Sequence, residues 1–317
     1  MPEPEIHQSD HGFPPNNPDA PGVIKRFLGY SEIATKIASV FPFLVTLAYC
    51  FFLRHTIDVR GSALFFLAML LFDITVTMIN NFSEFCETGV QKFFSRKVML
   101  ILIFCGAVPS LLIGLYLSWI YGLAFLLAGI FCFVVGIGYS FGPMPISKSP
   151  YGELLSGLTM GFVLPFLVMA INAPGLVVID FAGWNVTVRL DLRGLLMLAF
   201  VCAPLILCIA NIMLANNIRD IETDKAIRYT MARHIGKANA IRLFAALYGL
   251  VYIVIIAAFF LGAIPWTCLF VLITAVPVFR NVKRYRAEQQ KPESFVLSIR
   301  NHIIILAPYT ICIFLGA

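Results

Sequence analysis

Two short stretches of the sequence place an asparagine pair just before an acidic residue, at spacings that suit a metal site. Residues 80–88 read NNFSEFCET and residues 216–224 read NNIRDIETD, so the two stretches align without a gap. Residues four apart on a helix lie on one face, and each stretch therefore predicts a stripe of oxygen atoms. The stripes consist of Asn80, Glu84 and Thr88 and of Asn216, Asp220 and Asp224.

Such oxygen atoms suit a hard divalent cation that is shared with a phosphate group. Mg²⁺ usually combines a few carboxylates with phosphate oxygens. Basic residues beside the second stretch can contact the remaining charge of a phosphate. One such stretch alone could equally be a solvated loop whose acids pair with neighbouring bases. Two matching stretches favour a joint site for a metal ion and a phosphorylated ligand.

The segments that carry the stripes are apolar and long. Hydrophobic residues make up 60% of the 317-residue chain and charged residues 13%, against roughly 25% charged in soluble domains. The excess lies in separate runs of about 17–22 residues, the length that spans a hydrocarbon core. We predict an all-α polytopic membrane protein with nine transmembrane helices, at 37–53, 61–79, 98–118, 119–139, 153–171, 195–215, 241–261, 264–280 and 297–316.

The ends of the chain and the loops indicate an orientation. Residues 1–23 are rich in proline and acids, which predicts a disordered tail before one nine-helix domain at 24–317. With nine spans, 19 of the 23 lysines and arginines fall on the side that carries both stripes. The positive-inside rule predicts a multi-pass cell-membrane protein with a cytoplasmic N-terminus, cytoplasmic stripes and the C-terminus on the opposite side.

These residues resemble a known family. NNIRDIETDKA resembles the second aspartate-rich motif of the UbiA superfamily of intramembrane prenyltransferases, especially the 1,4-dihydroxy-2-naphthoate polyprenyltransferases of menaquinone synthesis. NNFSEFCET falls where that family has its first motif. GYSFGPMPISKSPYGELLSG, at 138–157, resembles a family loop, and SEIATKIASVFPF resembles the start of the family's first span. The resemblance implies nine helices around a central cavity and Mg²⁺-dependent transfer of a polyprenyl chain from its diphosphate to an aromatic ring.

The resemblance also implies roles by position. Asp220 and Asp224 are expected to bind one Mg²⁺, and Glu84 with Asn80 a second. These three acids are the predicted catalytic residues. The expected diphosphate contacts are Lys148, Arg228, Arg219 and Lys225. The expected substrate-binding residues are Asn216, Asn217, Tyr139, Lys36 and Asp73.

Two of these residues have simpler interpretations as well, and Asp73 has a further argument in its favour. Lys36 can be a basic residue that reaches the membrane surface, and Tyr139 can belong to an interfacial aromatic belt. Asp73 lies inside the second span, where acidic residues are usually functional, and it precedes Asn80 by seven residues on the same helix face.

Alternatives to naphthoate prenylation remain open at this point. The acceptor can be a hydroxybenzoate, a homogentisate or a lipid glycerol phosphate, or the chain can bind prenyl lipid without turnover. A transporter built from two repeats is a further alternative, although its polar residues would be expected at mid-depth. We expect the lipid bilayer, a polyprenyl diphosphate and an aromatic acceptor as partners, and no nucleic acid.

Overall fold

The computed structural model describes residues 22–90, 93–142, 144–221, 229–289 and 292–317. Within these residues, nine segments are long and apolar enough to cross a membrane. The prediction of nine spans in an all-α membrane bundle is therefore confirmed. The first 21 residues of the predicted tail lie outside the described part of the chain, and a helix already begins at Val23.

Twelve α-helices and one strand pair are present in the described residues. The helices are α1 (Val23–Ser31), α2 (Ile37–Arg54), α3 (Val59–Thr88), α4 (Arg96–Tyr121), α5 (Leu123–Ser140), α6 (Gly152–Leu158), α7 (Leu164–Asn172), α8 (Leu192–Asp220), α9 (Met231–Ile235), α10 (Lys237–Phe260), α11 (Ala275–Ala287) and α12 (Pro292–Leu315). The strands are β1 (Val177–Ala182) and β2 (Asn185–Leu190), which form an antiparallel hairpin between α7 and α8.

Two spans are composite. The fifth span consists of α6, a π-helical turn at Thr159–Val163 and α7. The eighth span begins as a 3₁₀ helix at Trp266–Thr274 and continues as α11. Shorter 3₁₀ turns at Ile33–Lys36 and Ile146–Lys148 precede α2 and α6.

The helices that carry the two stripes continue beyond the hydrophobic runs, as the spacing of the stripes predicts. The hydrophobic runs stop at 79 and 215, whereas α3 continues to Thr88 and α8 to Asp220. No helix-breaking residue occurs in this part of α3 before Gly89, whose φ of 68° ends the helix in the left-handed region that glycine tolerates. Both stripes therefore begin in the last turns of membrane-spanning helices.

The same two helices also begin alike, with the sequences DVRG and DLRG. The Asp58 carboxylate accepts a hydrogen bond from the Gly61 N–H, and the Asp191 carboxylate accepts one from the Gly194 N–H, each at 2.9 Å. Each aspartate thus caps its helix. Hydrogen bonds from the Tyr121 hydroxyl and the Gly61 N–H hold the pKa of Asp58 below its ordinary value.

The fifth and sixth spans approach each other unusually closely because two glycines face α8. A Cβ atom on Gly161 would lie 2.6 Å from the backbone nitrogen of Ile206, and one on Gly157 would lie 2.9 Å from the Ile206 carbonyl oxygen. Small residues four apart allow such backbone contact between membrane helices. This contact sets α6 against the part of α8 that leads to the second stripe.

The bundle has two distinct ends. At the motif end, defined by Thr88 and Asp220, α3 and α8 terminate. At the hairpin end, Asp58 accepts from the Tyr121 hydroxyl at 2.5 Å and donates its N–H to Asn172 at 2.9 Å. The hairpin of β1 and β2 lies at this second end, between the end of α7 and the start of α8.

Candidate functional site at the motif end

The first stripe occupies the last three turns of α3. Asn80 and Glu84 are partly exposed, and the Asn80 side-chain oxygen accepts a hydrogen bond from the Ser140 hydroxyl at 3.0 Å. The Thr88 hydroxyl donates to the Glu84 carbonyl at 2.8 Å and accepts the Val90 N–H at 3.2 Å. Thr88 therefore serves the end of the helix, whereas Asn80 and Glu84 are the partly exposed oxygen-bearing residues of the stripe.

Asn81, next to the stripe, has a structural contact. Its side-chain nitrogen donates to the Tyr30 carbonyl at 3.0 Å, and its side chain is buried. Tyr30 is fully buried against Met78 and Met99, and burial raises the pKa of its phenol. Asn81 thus fastens α1 to the end of α3.

The second stripe contains an internal ion pair. Arg219 binds the Asp220 carboxylate through two hydrogen bonds, of 2.7 Å from Nε and 3.1 Å from Nη2. The same Nη2 group donates to the Asn216 side-chain oxygen at 2.6 Å, and the guanidinium lies over the Phe295 ring at 5.2 Å. A positive group therefore already contacts both described oxygen donors of this stripe.

Asn217 contacts a different element from its neighbour. Its side-chain nitrogen donates to Glu153 at 2.8 Å, and both side chains are buried. Glu153 lies in the first turn of α6, so this bond joins the fifth span to the end of α8. The other Glu153 oxygen has no hydrogen-bond partner within the described residues.

The segment before α6 connects the ends of several helices. The Lys148 ammonium pairs with Glu87 of α3 at 2.5 Å, and the Lys148 carbonyl accepts the Tyr229 N–H at 2.9 Å. The predicted diphosphate contact Lys148 is therefore placed beside the first stripe, with its charge balanced by an acid. Tyr139 is half-buried, and its phenol oxygen lies 3.7 Å from the position of a Cβ on Gly152.

Lys36 and Asp73 lie together between the start of α2 and α3, as a pair in which Lys36 is buried and Asp73 is partly buried. The ammonium is 3.0 Å from the Asp73 carboxylate and also donates to the Asp73 carbonyl and to the Thr77 hydroxyl. The second carboxylate oxygen accepts from Ser39 at 2.6 Å. An ammonium group has three donors, so these contacts use the hydrogen-bonding capacity of Lys36. The pair lies about 10 Å from Asn80 along α3.

The remaining predicted residues are not described. Asp224, Lys225 and Arg228 lie outside the described part of the chain, and so does their relation to Asp220. The stripe of Asn216, Asp220 and Asp224 can therefore be followed on α8 only as far as Asp220.

The residues that the structure describes fit magnesium by their chemistry. The partly exposed oxygen ligands that the two stripes offer are the amide oxygens of Asn80 and Asn216 and the carboxylates of Glu84 and Asp220, with neither nitrogen nor sulfur among them. Among the described residues, no three His, Cys, Asp or Glu side chains come together as a closed cage. Mg²⁺ prefers a site that has few carboxylates and leaves room for phosphate oxygens.

Comparison with known proteins decides the family. The profile described as "UbiA prenyltransferase family" matches residues 39–302. The chain belongs to the UbiA prenyltransferase family. It is 27% identical over 263 residues to 1,4-dihydroxy-2-naphthoate octaprenyltransferase of Bacillus subtilis (strain 168). The alignment covers 77% of this chain and 78% of the B. subtilis protein. This UbiA-family chain is thus a multi-pass membrane prenyltransferase.

Solved structures confirm the UbiA fold. A UbiA homologue from Archaeoglobus fulgidus bound to GPP and Mg²⁺ superposes with a TM-score of 0.62 at 13% identity, covering 91% of this chain and 99% of that one. The apo UbiA homologue from Aeropyrum pernix K1 gives 0.59 at 16% identity, covering 84% and 96%. At these identities the likeness concerns the fold alone.

Several residues at the site were not singled out from the sequence. Glu87 and Ser140 contact predicted site residues, and Ser39 and Thr77 complete the Lys36–Asp73 pair. Glu153 was not among the predicted site residues. Its position directly after the Tyr- and Pro-containing loop was the available signal, but nothing in the local sequence pairs it with Asn217.

Proposed function

We propose that this UbiA-family enzyme transfers a polyprenyl chain from its diphosphate to an aromatic acceptor, namely 1,4-dihydroxy-2-naphthoate. The observation that carries the proposal is the pair of matched oxygen stripes, which end two membrane-spanning helices at the same end of the bundle. The B. subtilis naphthoate octaprenyltransferase supports the choice of acceptor by its 27% identity.

The position of the stripes suits a substrate with a charged head and a hydrocarbon tail. The diphosphate needs cations near the membrane surface, whereas the prenyl tail needs an apolar environment. The stripes extend directly from spans of high hydropathy, so a single substrate can contact both environments. The apolar bundle also keeps water away from an allylic cation, which water would otherwise capture.

We assign magnesium binding to both stripes. Asp220, with Asp224, would hold one ion, and Glu84 with Asn80 would hold the other. When bound, Mg²⁺ stabilises the negative charge that develops on the leaving diphosphate. The structure supports this assignment by the oxygen-only donor set and by the partial exposure of Asn80, Glu84, Asn216 and Asp220.

The basic residues around the stripes are proposed to bind the diphosphate. Arg219 balances the Asp220 carboxylate in the ligand-free chain. We propose that binding of the substrate with its cations turns the guanidinium from Asp220 to a phosphate oxygen. We propose that Lys148, held beside α3 by Glu87, does the same from the first stripe. Lys225 and Arg228 are proposed as further diphosphate contacts on the basis of their positions in the motif.

The deeper residues are proposed to shape the acceptor site. Lys36 and Asp73 form a rigid pair that orders the start of α2 against α3, and we propose that it lines the end of the acceptor site. Tyr139 is proposed to contact the acceptor ring from the end of α5. Asn216 offers its oxygen at the second stripe, whereas Asn217 supports the site through Glu153.

The decisive experiment supplies the purified protein, in vesicles with Mg²⁺, with a labelled polyprenyl diphosphate and a panel of acceptors. The panel contains dihydroxynaphthoate, hydroxybenzoate, homogentisate and a lipid glycerol phosphate. We expect label transfer to dihydroxynaphthoate and its loss when Mg²⁺ is chelated. Transfer to another acceptor alone would overturn the acceptor assignment. Binding of the prenyl diphosphate without transfer to any acceptor would indicate a lipid-binding relative.

We also propose that the motif end is cytoplasmic, with the C-terminus on the opposite side of the membrane. The support is the distribution of lysine and arginine, with 19 of 23 on the motif-end side. Reporter domains fused after Ala317 and before Pro2 are expected to report opposite compartments. Reporters in the same compartment would refute the odd number of crossings.

A further inference from the structure

The β-hairpin at the other end of the bundle carries only apolar residues on one of its two faces. Paired residues in an antiparallel ladder point to the same side. One face therefore carries only apolar side chains, from the pairs Val177–Leu190, Ile179–Val188 and Phe181–Val186. We call this the apolar hairpin face.

The opposite face, which we call the polar face, carries the polar side chains of both strands together with Val178 and Ala182. Asp180 and Arg189 form an ion pair across the strands at 2.8 Å, and Thr187 and Asn185 lie beside them. An alternating pattern of this kind normally belongs to a sheet with one covered side and one solvated side. The hairpin thus has the pattern of a half-buried sheet.

In the described chain, however, most of the apolar hairpin face is exposed, and only Val177 and Ile179 are partly buried. Phe181, Val186, Val188 and Leu190 are each more than half exposed, and Trp184 in the turn is fully exposed. A cleft of about 240 Å³ lies between β1 and the neighbouring helix ends. The bundle therefore does not close over the hairpin. Exposed apolar side chains that gather on one face beside polar residues mark a contact surface.

The connections of the hairpin keep it close to the membrane surface. β1 begins five residues after α7 ends, and the Asp191 N–H donates to the Leu176 carbonyl at 2.9 Å, which closes the base of the hairpin directly at the start of α8. Strands of six residues are about 20 Å long. The hairpin either stands that far into water with its apolar side chains exposed, or it lies on the bilayer with those side chains facing the lipid.

The other tryptophans lie at the same end of the bundle. The chain has three, and Trp119 ends the third span while Trp266 begins the eighth. The Thr267 hydroxyl bonds to the Cys312 carbonyl at 2.5 Å, and Phe314 stacks on Phe51 at 5.1 Å, so the starts and ends of these spans meet. Tryptophan prefers the membrane–water interface, and all three tryptophans are largely exposed here.

We propose that the hairpin is a membrane-interface element: its apolar face and Trp184 insert among the lipid headgroups and upper acyl chains beside α7 and α8. The polar face, with Asp180 and Arg189, then faces water. This arrangement puts the exposed arginines at this end, Arg54, Arg60, Arg189 and Arg193, at the level of the lipid phosphates. The partner is the bilayer surface, and the hairpin fixes the depth and tilt of the fifth and sixth spans.

The test uses tryptophan fluorescence in phosphatidylcholine vesicles. The variant with Trp119→Phe and Trp266→Phe retains Trp184 as its single tryptophan. Lipids brominated near the headgroup are expected to quench Trp184 more strongly than lipids brominated near the chain ends, and aqueous iodide is expected to quench it little. If that variant does not fold, the difference between the full chain and Trp184→Phe isolates the same signal.

Two neighbouring residues of β2 supply a matched control. Val188→Glu places a charge on the apolar hairpin face and is expected to raise iodide quenching several-fold while lowering quenching by brominated lipid. Thr187→Glu, on the polar face, is expected to change neither. Iodide access to Trp184 in the parent protein would overturn the proposal. Shielding from both quenchers together with a dimer in solution would also overturn it, because a second copy would then cover the face. Neither readout depends on prenyl transfer.

Discussion

The ends of α3 and α8 carry the same asparagine pair, and the two asparagines of each pair have different structural roles. Asn80 and Asn216 are partly exposed and accept hydrogen bonds through their side-chain oxygens. Asn81 and Asn217 are buried, and each donates to a neighbouring element, at 3.0 Å and 2.8 Å. The comparison teaches that one motif combines an oxygen donor for the site with a joint that holds the site in place.

The two stripes differ in the charged groups that they contain. In the second stripe, Arg219 contacts both Asn216 and Asp220, so a positive group is bound before any substrate arrives. In the first stripe, the position equivalent to Asp224 is Thr88, whose hydroxyl is committed to the helix end. The second stripe is therefore the stronger candidate for cation and diphosphate binding, and the first depends on Glu84.

Removing the charge of Asp220 should have the largest effect. Asp220→Asn is expected to reduce prenyl transfer by roughly 10²-fold or more, because a carboxylate ligand to the cation is lost, while the melting temperature stays near that of the parent. Turnover at saturating Mg²⁺ measures this. Asp180→Asn, an exposed acid at the hairpin end, is the control and should retain activity. Near-normal turnover of Asp220→Asn would exclude it as a metal ligand.

Changes in the first stripe should follow, with Glu84 first and Asn80 next. Glu84→Gln is expected to remove most activity, at least about tenfold, since even groups that only support a metal ligand cost that much. Asn80→Ala should remove much of it, because an amide oxygen and the Ser140 contact are lost together. Rates measured against Mg²⁺ concentration decide this. Wild-type behaviour of Glu84→Gln would mean that the first stripe binds no metal.

The buried asparagines should affect stability more than chemistry. Asn217→Ala removes the hydrogen-bond donor of the buried Glu153 and is expected to cost about 1–3 kcal/mol. Asn81→Ala should cost less, because the Tyr30 carbonyl that it leaves is a neutral group. Thermal melting in detergent compares the two, with turnover measured well below the transition. Stability equal to the parent in both variants would contradict the assignment of these residues as joints.

Thr88 should have the smallest effect. Thr88→Ala is expected to change the rate little, because the Thr88 hydroxyl forms hydrogen bonds with backbone atoms of its own segment. Thr88→Asp should be tolerated and should lower the Mg²⁺ concentration that gives half-maximal rate, since it adds the carboxylate that the second stripe has at Asp224. A strong loss of activity in Thr88→Ala would contradict the expected order of effects in the first stripe, in which Glu84 and Asn80 come before Thr88.

Features that depend on local sequence could be predicted. The nine spans follow from the lengths of the hydrophobic runs, and the two stripes follow from the spacing of four residues on a helix. Lys36 and Asp73 were both expected in the substrate site, but not as partners. The hairpin was missed because the expectation was entirely helical, although polar and apolar residues alternate strictly in β2.

The sequence by itself determined the membrane architecture, the family motifs and the end of the bundle where oxygen donors concentrate, because these depend on residue type and short-range periodicity. Only the tertiary structure decided the role of each donor. Asn81 meets a residue 51 positions away and Asn217 one 64 positions away, and the partner depends on which helix packs alongside. In a bundle, a buried polar group must find its partner on whichever neighbour comes close, so packing assigns one asparagine to the site and the next to the scaffold.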